Sequence, residues 1–182
     1  GVKGIGLGGA ISVLEERGFV PKSLAGASAG AIVATLLAAG YSAKELYDVM
    51  INLDFRRFED RGFEDRIPVA GPPLSILKDQ GIFEGKAFLA WIGELLEAKG
   101  VRTFADLVDP ETADDPRYRY RVRIIASDLT SRALLALPQD AVKLGLVPDA
   151  MPVAEAVRMS MSIPFFFEPV RVDERRLELL YR

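Results

Sequence analysis

The chain contains no histidine and no cysteine among its 182 residues. Without imidazole there is no Ser-His-Asp relay and no ordinary zinc or non-haem iron site. Without thiols there are no disulfides, no thiol nucleophile and no thiolate metal site. Long apolar runs are also missing. The longest candidate, Gly30 to Tyr41, falls well short of the ~20 residues a membrane-spanning helix needs. A net charge of −3 supplies no global attraction to nucleic acid or anionic lipid, so either contact would have to come from a local patch. What remains is 49% hydrophobic and 27% charged, the balance of a soluble globular chain long enough for one domain with a sizeable core. The sequence begins at Gly1 rather than Met, so targeting is unreadable and an N-terminal segment ahead of Gly1 stays open.

Hydrophobic spacing predicts a helix over Gly4 to Arg17, stopped by Gly18, and a short buried strand over Ser23 to Ala27. Ala29 to Ala39 is so rich in small apolar residues that it must lie against other backbone, and Gly40 ends it. Ser42-Ala43-Lys44-Glu45 is a capping box opening a helix to about Met50. From Asn52 to Gly81 the charged, aromatic and proline-broken sequence predicts an irregular surface excursion. Gly85 to Lys99 is an amphipathic helix with Phe88, Leu89, Ile92, Leu95 and Leu96 inward, Trp91 off the stripe and Gly100 as its stop. A short element at Phe104 to Leu107 precedes an acidic loop, Asp109 to Pro116, expected to be mobile. Arg117 to Asp128 alternates into a strand that places four arginines on one face, read as a solvated face in preference to a phosphate site. Ala133 to Leu137 is a further strand, Val153 to Ser160 a helix, and Ile163 to Val170 an apolar extended segment. No repeat or linker divides the chain.

Four patterns bear on chemistry. Gly4 to Gly9 contains a literal G-x-G-x-x-G, but no acidic residue follows about 20 positions later, so helix packing is preferred to a dinucleotide site. Ser75-Ile76-Leu77-Lys78 has Ser-x-x-Lys spacing without the companion motifs of penicillin-recognising enzymes and is discounted. The hydroxyls of Ser160-Met161-Ser162 read as local caps or fillers of small space. The fourth pattern, Gly26-Ala27-Ser28-Ala29-Gly30, is a G-x-S-x-G that suits a turn so sharp that the positions flanking the serine nearly touch. Chance supplies roughly 0.07 such matches in a chain of this composition, so neighbouring sequence has to decide. A nucleophilic serine needs an exposed Oγ, oxyanion donors and a base. The helix from Ala29 offers the Ala29 N–H and its positive dipole end, and the tight run Gly1-Val2-Lys3-Gly4 offers a second donor.

Gly1-Val2-Lys3-Gly4, then Gly26-Ala27-Ser28-Ala29-Gly30, then Ala156 to Pro164 resembles the patatin-like phospholipases across nearly the whole chain. The resemblance implies a Ser–Asp dyad without histidine, with Ser28 as nucleophile, Gly1, Val2, Gly4 and Ala29 at the oxyanion hole, and Lys3 at the loop's basic position. It implies an acyl-serine route to hydrolysis of lipid acyl esters, with no cofactor and no metal. The partner is a lipid or phospholipid substrate with peripheral membrane contact, not nucleic acid, and a cytoplasmic or peripheral-membrane location is expected. The family's Asp-Gly-Gly or Asp-Gly-Ala does not occur after Ile163 to Val170, and Asp173, followed by Glu174-Arg175-Arg176, does not match it. The dyad acid is therefore expected in residues near Asp173 that the sequence does not carry, as are the strand before Gly1 and the C-terminal part. The fold expected is an α/β three-layer sandwich with a mostly parallel central sheet, one domain over 1–182, with Ser28 on a strand-to-helix elbow. A non-catalytic lipid- or nucleotide-binding module using the same glycine loops is the rival reading. Phe165-Phe166-Phe167 are candidates both for acyl-chain walls and for core packing.

Overall fold

A computed structural model describes residues 4–52 and 74–162, together with 170 and 172. Helix α1 spans Gly4–Glu16, strand β1 Leu24–Ala27, helix α2 Ala29–Ala38 and helix α3 Ala43–Ile51. Helix α4 follows over Leu74–Glu97, then β2 over Val122–Asp128, β3 over Ala133–Leu137 and α5 over Val153–Met161. Gly18, Gly40 and Gly100 all hold positive φ, as helix stops that only glycine adopts without strain.

Among the described residues the sheet has three strands in the order β1-β2-β3. β1 runs parallel to β2, with Leu24 opposite Val122 and Ala27 opposite Ile125. β3 runs antiparallel to β2, with Ile124 opposite Leu137. The described part of the sheet is thus mixed, with one parallel and one antiparallel pair, where a mostly parallel sheet is expected. Its antiparallel pair follows from the connection: four residues join β2 to β3, and a parallel return needs a dozen or more. Asp128 shapes that turn by accepting hydrogen bonds from the Thr130 amide at 2.9 Å and the Ser131 hydroxyl at 2.5 Å.

The core forms where α2, α4 and α5 meet the sheet. Val122, Ile124 and Ala126 on alternate positions of β2 are buried with Leu36 of α2, Ile92 and Leu96 of α4 and Val157 of α5. Helix α2 is buried from Ala31 through Leu36 without a polar face, which explains its small side chains: helix and sheet backbones approach closely on more than one side. On α4, Phe88, Ile92 and Leu96 face the core as the spacing predicts, while Leu89, Leu95 and Trp91 are half-buried.

Three expectations need correction. Helix α4 begins at Leu74, not Gly85. Pro73 is the last proline before it, and Gly81 and Gly85 are tolerated within a long helix at about 1 kcal/mol each. The strand expected from Arg117 begins only at Val122, so the four arginines do not form one strand face. Arg117 pairs with Asp115 at 3.0 Å, and Arg119 reaches Asp149 at 2.8 Å and the Ala113 carbonyl. The acidic loop is not loose but built of hydrogen-bonded turns. Asp109 is buried, its amide donates to the Arg119 carbonyl and its carboxylate accepts from the Glu111 amide. The remainder of the proline-broken excursion, residues 53–73, lies outside the described residues, as do 163–169 with the three phenylalanines.

Candidate active site

Strand β1 enters the sheet beside β2 and turns into α2 through a single residue, Ser28. That residue has φ 53° and ψ −126°, a backbone conformation that side-chain-bearing residues avoid. Its carbonyl accepts from the amides of Ala31 at 2.8 Å and Ile32 at 3.4 Å, so Ser28 stands at the N-cap of α2. A serine at that place ordinarily turns its hydroxyl back onto the helix amides. Ser28 makes no such side-chain cap. Its Oγ instead donates to Met161 Sδ at 3.6 Å. A thioether is a weak acceptor, so this contact leaves the hydroxyl available to a stronger base.

Close approach explains the glycine before the turn. A Cβ at position 26 would lie 2.1 Å from the Gly30 carbonyl oxygen and 2.6 Å from the Ala31 nitrogen. At position 30 a Cβ would meet nothing within 4 Å. The two backbones do nearly touch, as the spacing predicts, but only Gly26 is sterically required.

Ala29 and Gly30 open α2 ahead of Ala31, the first amide that donates to a carbonyl of this turn, and stand at the positive end of the helix dipole. No acidic residue occupies that first turn to neutralise it. Gly4 is the first residue of α1, which packs against α2 and α3. Gly1, Val2 and Lys3 lie outside the described residues, and so does Asp173.

Sequence reasoning missed one residue at this turn. Ser160, read as a cap or space filler, accepts the Ser28 N–H on its Oγ at 2.9 Å and donates to the Ile125 carbonyl at 2.6 Å. Ile125 is the parallel partner of Ala27, so one hydroxyl links α5, β2 and the residue after β1. The only signal was a serine in the last turn of a helix shortly before Pro164, which alone does not tell a local cap from a long-range tie. Two residues earlier, Arg158 is buried, and a Cβ on Gly85 would come within 2.6 Å of its guanidinium. Glycine on α4 therefore leaves the space that a buried arginine of α5 fills.

Residues 1–180 match the model of a family described as patatin-like phospholipase. The chain belongs to the patatin-like phospholipase family. It is 43% identical over 172 residues to the uncharacterised protein YqhO of Bacillus subtilis (strain 168), a match covering 94% of this chain and 56% of that one. The chain thus spans little more than half the length of that relative. Among solved structures it resembles the type III effector protein ExoU, at 24% identity and a TM-score of 0.52 over 91% of this chain and 39% of ExoU. A second structure holds full-length ExoU of Pseudomonas aeruginosa with SpcU, at 22% identity and a TM-score of 0.48, covering 97% of this chain and 38% of that one. The likeness to ExoU supports the patatin-like fold, a small mixed sheet carrying helices. Among the described residues no helix is long and apolar enough to cross a membrane.

Proposed function

We propose that this chain hydrolyses lipid acyl esters, in the manner of a phospholipase A or lysophospholipase, through a covalent acyl-Ser28 intermediate. Membership of the patatin-like phospholipase family supports the reaction class. The observation that carries the assignment to Ser28 is its backbone. A non-glycine residue held at φ 53° between a strand and a helix, its hydroxyl withheld from helix capping, is the arrangement a nucleophile elbow requires.

In this reading an aspartate accepts the Ser28 Oγ proton as Oγ bonds to the ester carbonyl carbon. The carbonyl oxygen becomes an oxyanion, stabilised by the Ala29 N–H and by amides of the Gly1-Val2-Lys3-Gly4 loop. Collapse of the intermediate breaks the ester C–O bond, and the leaving alcohol takes the proton back from the aspartic acid. Water then attacks the acyl-serine with the same aspartate as base, the acyl C–Oγ bond breaks, the fatty acid leaves and the proton returns to Ser28 Oγ. An aspartate of ordinary pKa, ~3.9, is a weak base, so it must lie within hydrogen-bond reach in an apolar site that raises its pKa. As the resemblance implies, we place it in residues near Asp173 that the sequence does not carry, with one three-layer domain over 1–182, a lipid or phospholipid substrate, contact with the membrane surface and no cofactor.

The test compares wild type with Ser28→Ala on short nitrophenyl esters and with a fluorophosphonate probe, which modifies only an activated serine. The substitution is expected to lower turnover on the order of 10³-fold or more and to abolish labelling, with the melting temperature nearly unchanged. Equal turnover in the two proteins overturns the assignment. A wild type that binds lipid yet never labels points to the binding-module alternative.

A further inference from the structure

Ser28 can hold its unusual backbone only if both of its peptide groups are anchored. The carbonyl is held by the first turn of α2. The N–H is held by a side chain 132 residues away, Ser160 Oγ at 2.9 Å, and the Ser160 hydroxyl proton is committed to the Ile125 carbonyl at 2.6 Å. Oγ therefore accepts on one side and donates on the other. Ile125 sits in β2 directly beside Ala27, so the acceptor belongs to the strand against which the turn is built.

Resting on the reading of Ser28 as nucleophile, we infer that Ser160 is a positioning residue for the reaction: it ties the Ser28 amide to the backbone of β2 and keeps the Ser28 hydroxyl aimed out of the turn. Two consequences distinguish this role from others a second serine could have. The Ser160 proton is spent on Ile125, so Ser160 does not relay the Ser28 proton to a base. The Ser28 amide is spent on Ser160, so it is not an oxyanion donor, and that duty falls to Ala29 and the loop before α1. The tie also explains a hydroxyl at position 160, where the residues on either side and those one turn earlier on the same face are apolar. Ala156 and Val157 are fully buried one turn earlier, and Met159 and Met161 flank the serine. A hydrocarbon side chain would leave the Ser28 N–H without its acceptor at the one residue that most needs holding.

The experiment compares wild type with Ser160→Ala and Ser160→Thr, measuring kcat and KM on a soluble nitrophenyl ester, the rate of fluorophosphonate labelling, the pH dependence of kcat/KM and thermal melting. Ser160→Ala is expected to lower kcat and the labelling rate together by about 10- to 100-fold, because a misplaced reacting atom costs that order of rate. KM should stay within about twofold, since the substrate's own contacts are untouched. The apparent pKa of the acid limb should not move, because Ser160 is not in the proton path. Ser160→Thr, which keeps the Oγ, should recover most of the rate. Labelling of Ser160→Ala at the wild-type rate overturns the inference and leaves the acyl-serine reading standing. So does a loss of rate that threonine does not restore, or a shifted acid limb. A wild type that neither labels nor turns over overturns the acyl-serine reading itself, and the positioning role with it.

Discussion

A methyl group at position 26 would fall 2.1 Å from the Gly30 carbonyl oxygen, and that oxygen belongs to helix backbone, which cannot swing aside as a side chain does. Gly26→Ala should therefore destabilise by about 1–3 kcal/mol, the range for forcing extra volume into a packed place, and should lower esterase activity because the displaced backbone carries Ser28. Position 30 lies inside α2 with open space around it. Gly30→Ala should be neutral or stabilise by up to about 1 kcal/mol through helix propensity, with activity retained. Melting curves and ester turnover on the two variants decide the point, and equal damage at both positions would contradict this geometry. The spacing Gly-x-Ser-x-Gly was legible as a sharp turn because a nucleophile on such a turn needs glycine nearby. Which glycine is indispensable was not legible, because that depends on where the α2 carbonyls point. Ser160 was illegible for a related reason: its partners are Ser28 and Ile125, and contacts at that separation leave no periodic trace in a single sequence.

Local chemistry reads well at the level of single elements, and α3 shows why. Ser42 accepts the Glu45 amide on its Oγ at 3.2 Å, while the Glu45 carboxylate takes the Ser42 amide at 2.8 Å, the reciprocal pair that the four-residue pattern predicts. The sequence did not show that Lys99, just past the end of α4, also reaches Glu45 at 2.8 Å while lying over the Tyr41 ring. The Lys99 ammonium first, and then the Ser42 amide and hydroxyl, hold the Glu45 carboxyl at about 2 against an ordinary value of 4.5. A carboxylate whose pKa is lowered by folding contributes stability above its unfolded value and loses it as pH falls towards the folded one. Glu45→Gln should thus lower the melting temperature at pH 7, and the gap to wild type should close between about pH 4.5 and pH 2. A gap that persists undiminished at pH 2 would mean that the charge is not what stabilises this junction. Helix α4 shows the opposite case. Its core stripe was legible from Phe88 to Leu96, but its first turns were read into the proline-broken excursion before it, and Gly85, taken as the helix start, serves a partner on another helix, Arg158.

For the whole molecule, what was missing from the composition was as informative as what was present. A chain without histidine or cysteine can activate a serine only through a carboxylate or a lysine, and it has neither imidazole nor thiolate with which to build a strong transition-metal site. The class of fold followed from the resemblance carried by Gly1 to Gly4, Gly26 to Gly30 and Ala156 to Pro164. The antiparallel pairing of β2 with β3 was legible as well, since the four residues between them leave no room for a parallel return. In the proposed mechanism the oxyanion is met by backbone amides and the base is a carboxylate, so charge development in the transition state needs no bound cation. EDTA at millimolar concentration should therefore leave turnover of a soluble, monomeric nitrophenyl ester within about twofold of its untreated rate, a margin small against the 10²- to 10³-fold that loss of a true electrostatic stabiliser costs. The soluble ester is essential to the test. Calcium bridging protein to an anionic lipid surface alters substrate presentation rather than the chemical step, and on vesicles the two effects would be read together. A loss of 10²-fold or more in EDTA on the soluble ester, restored by one added divalent cation, would replace the Ser–Asp dyad with a metal-assisted route.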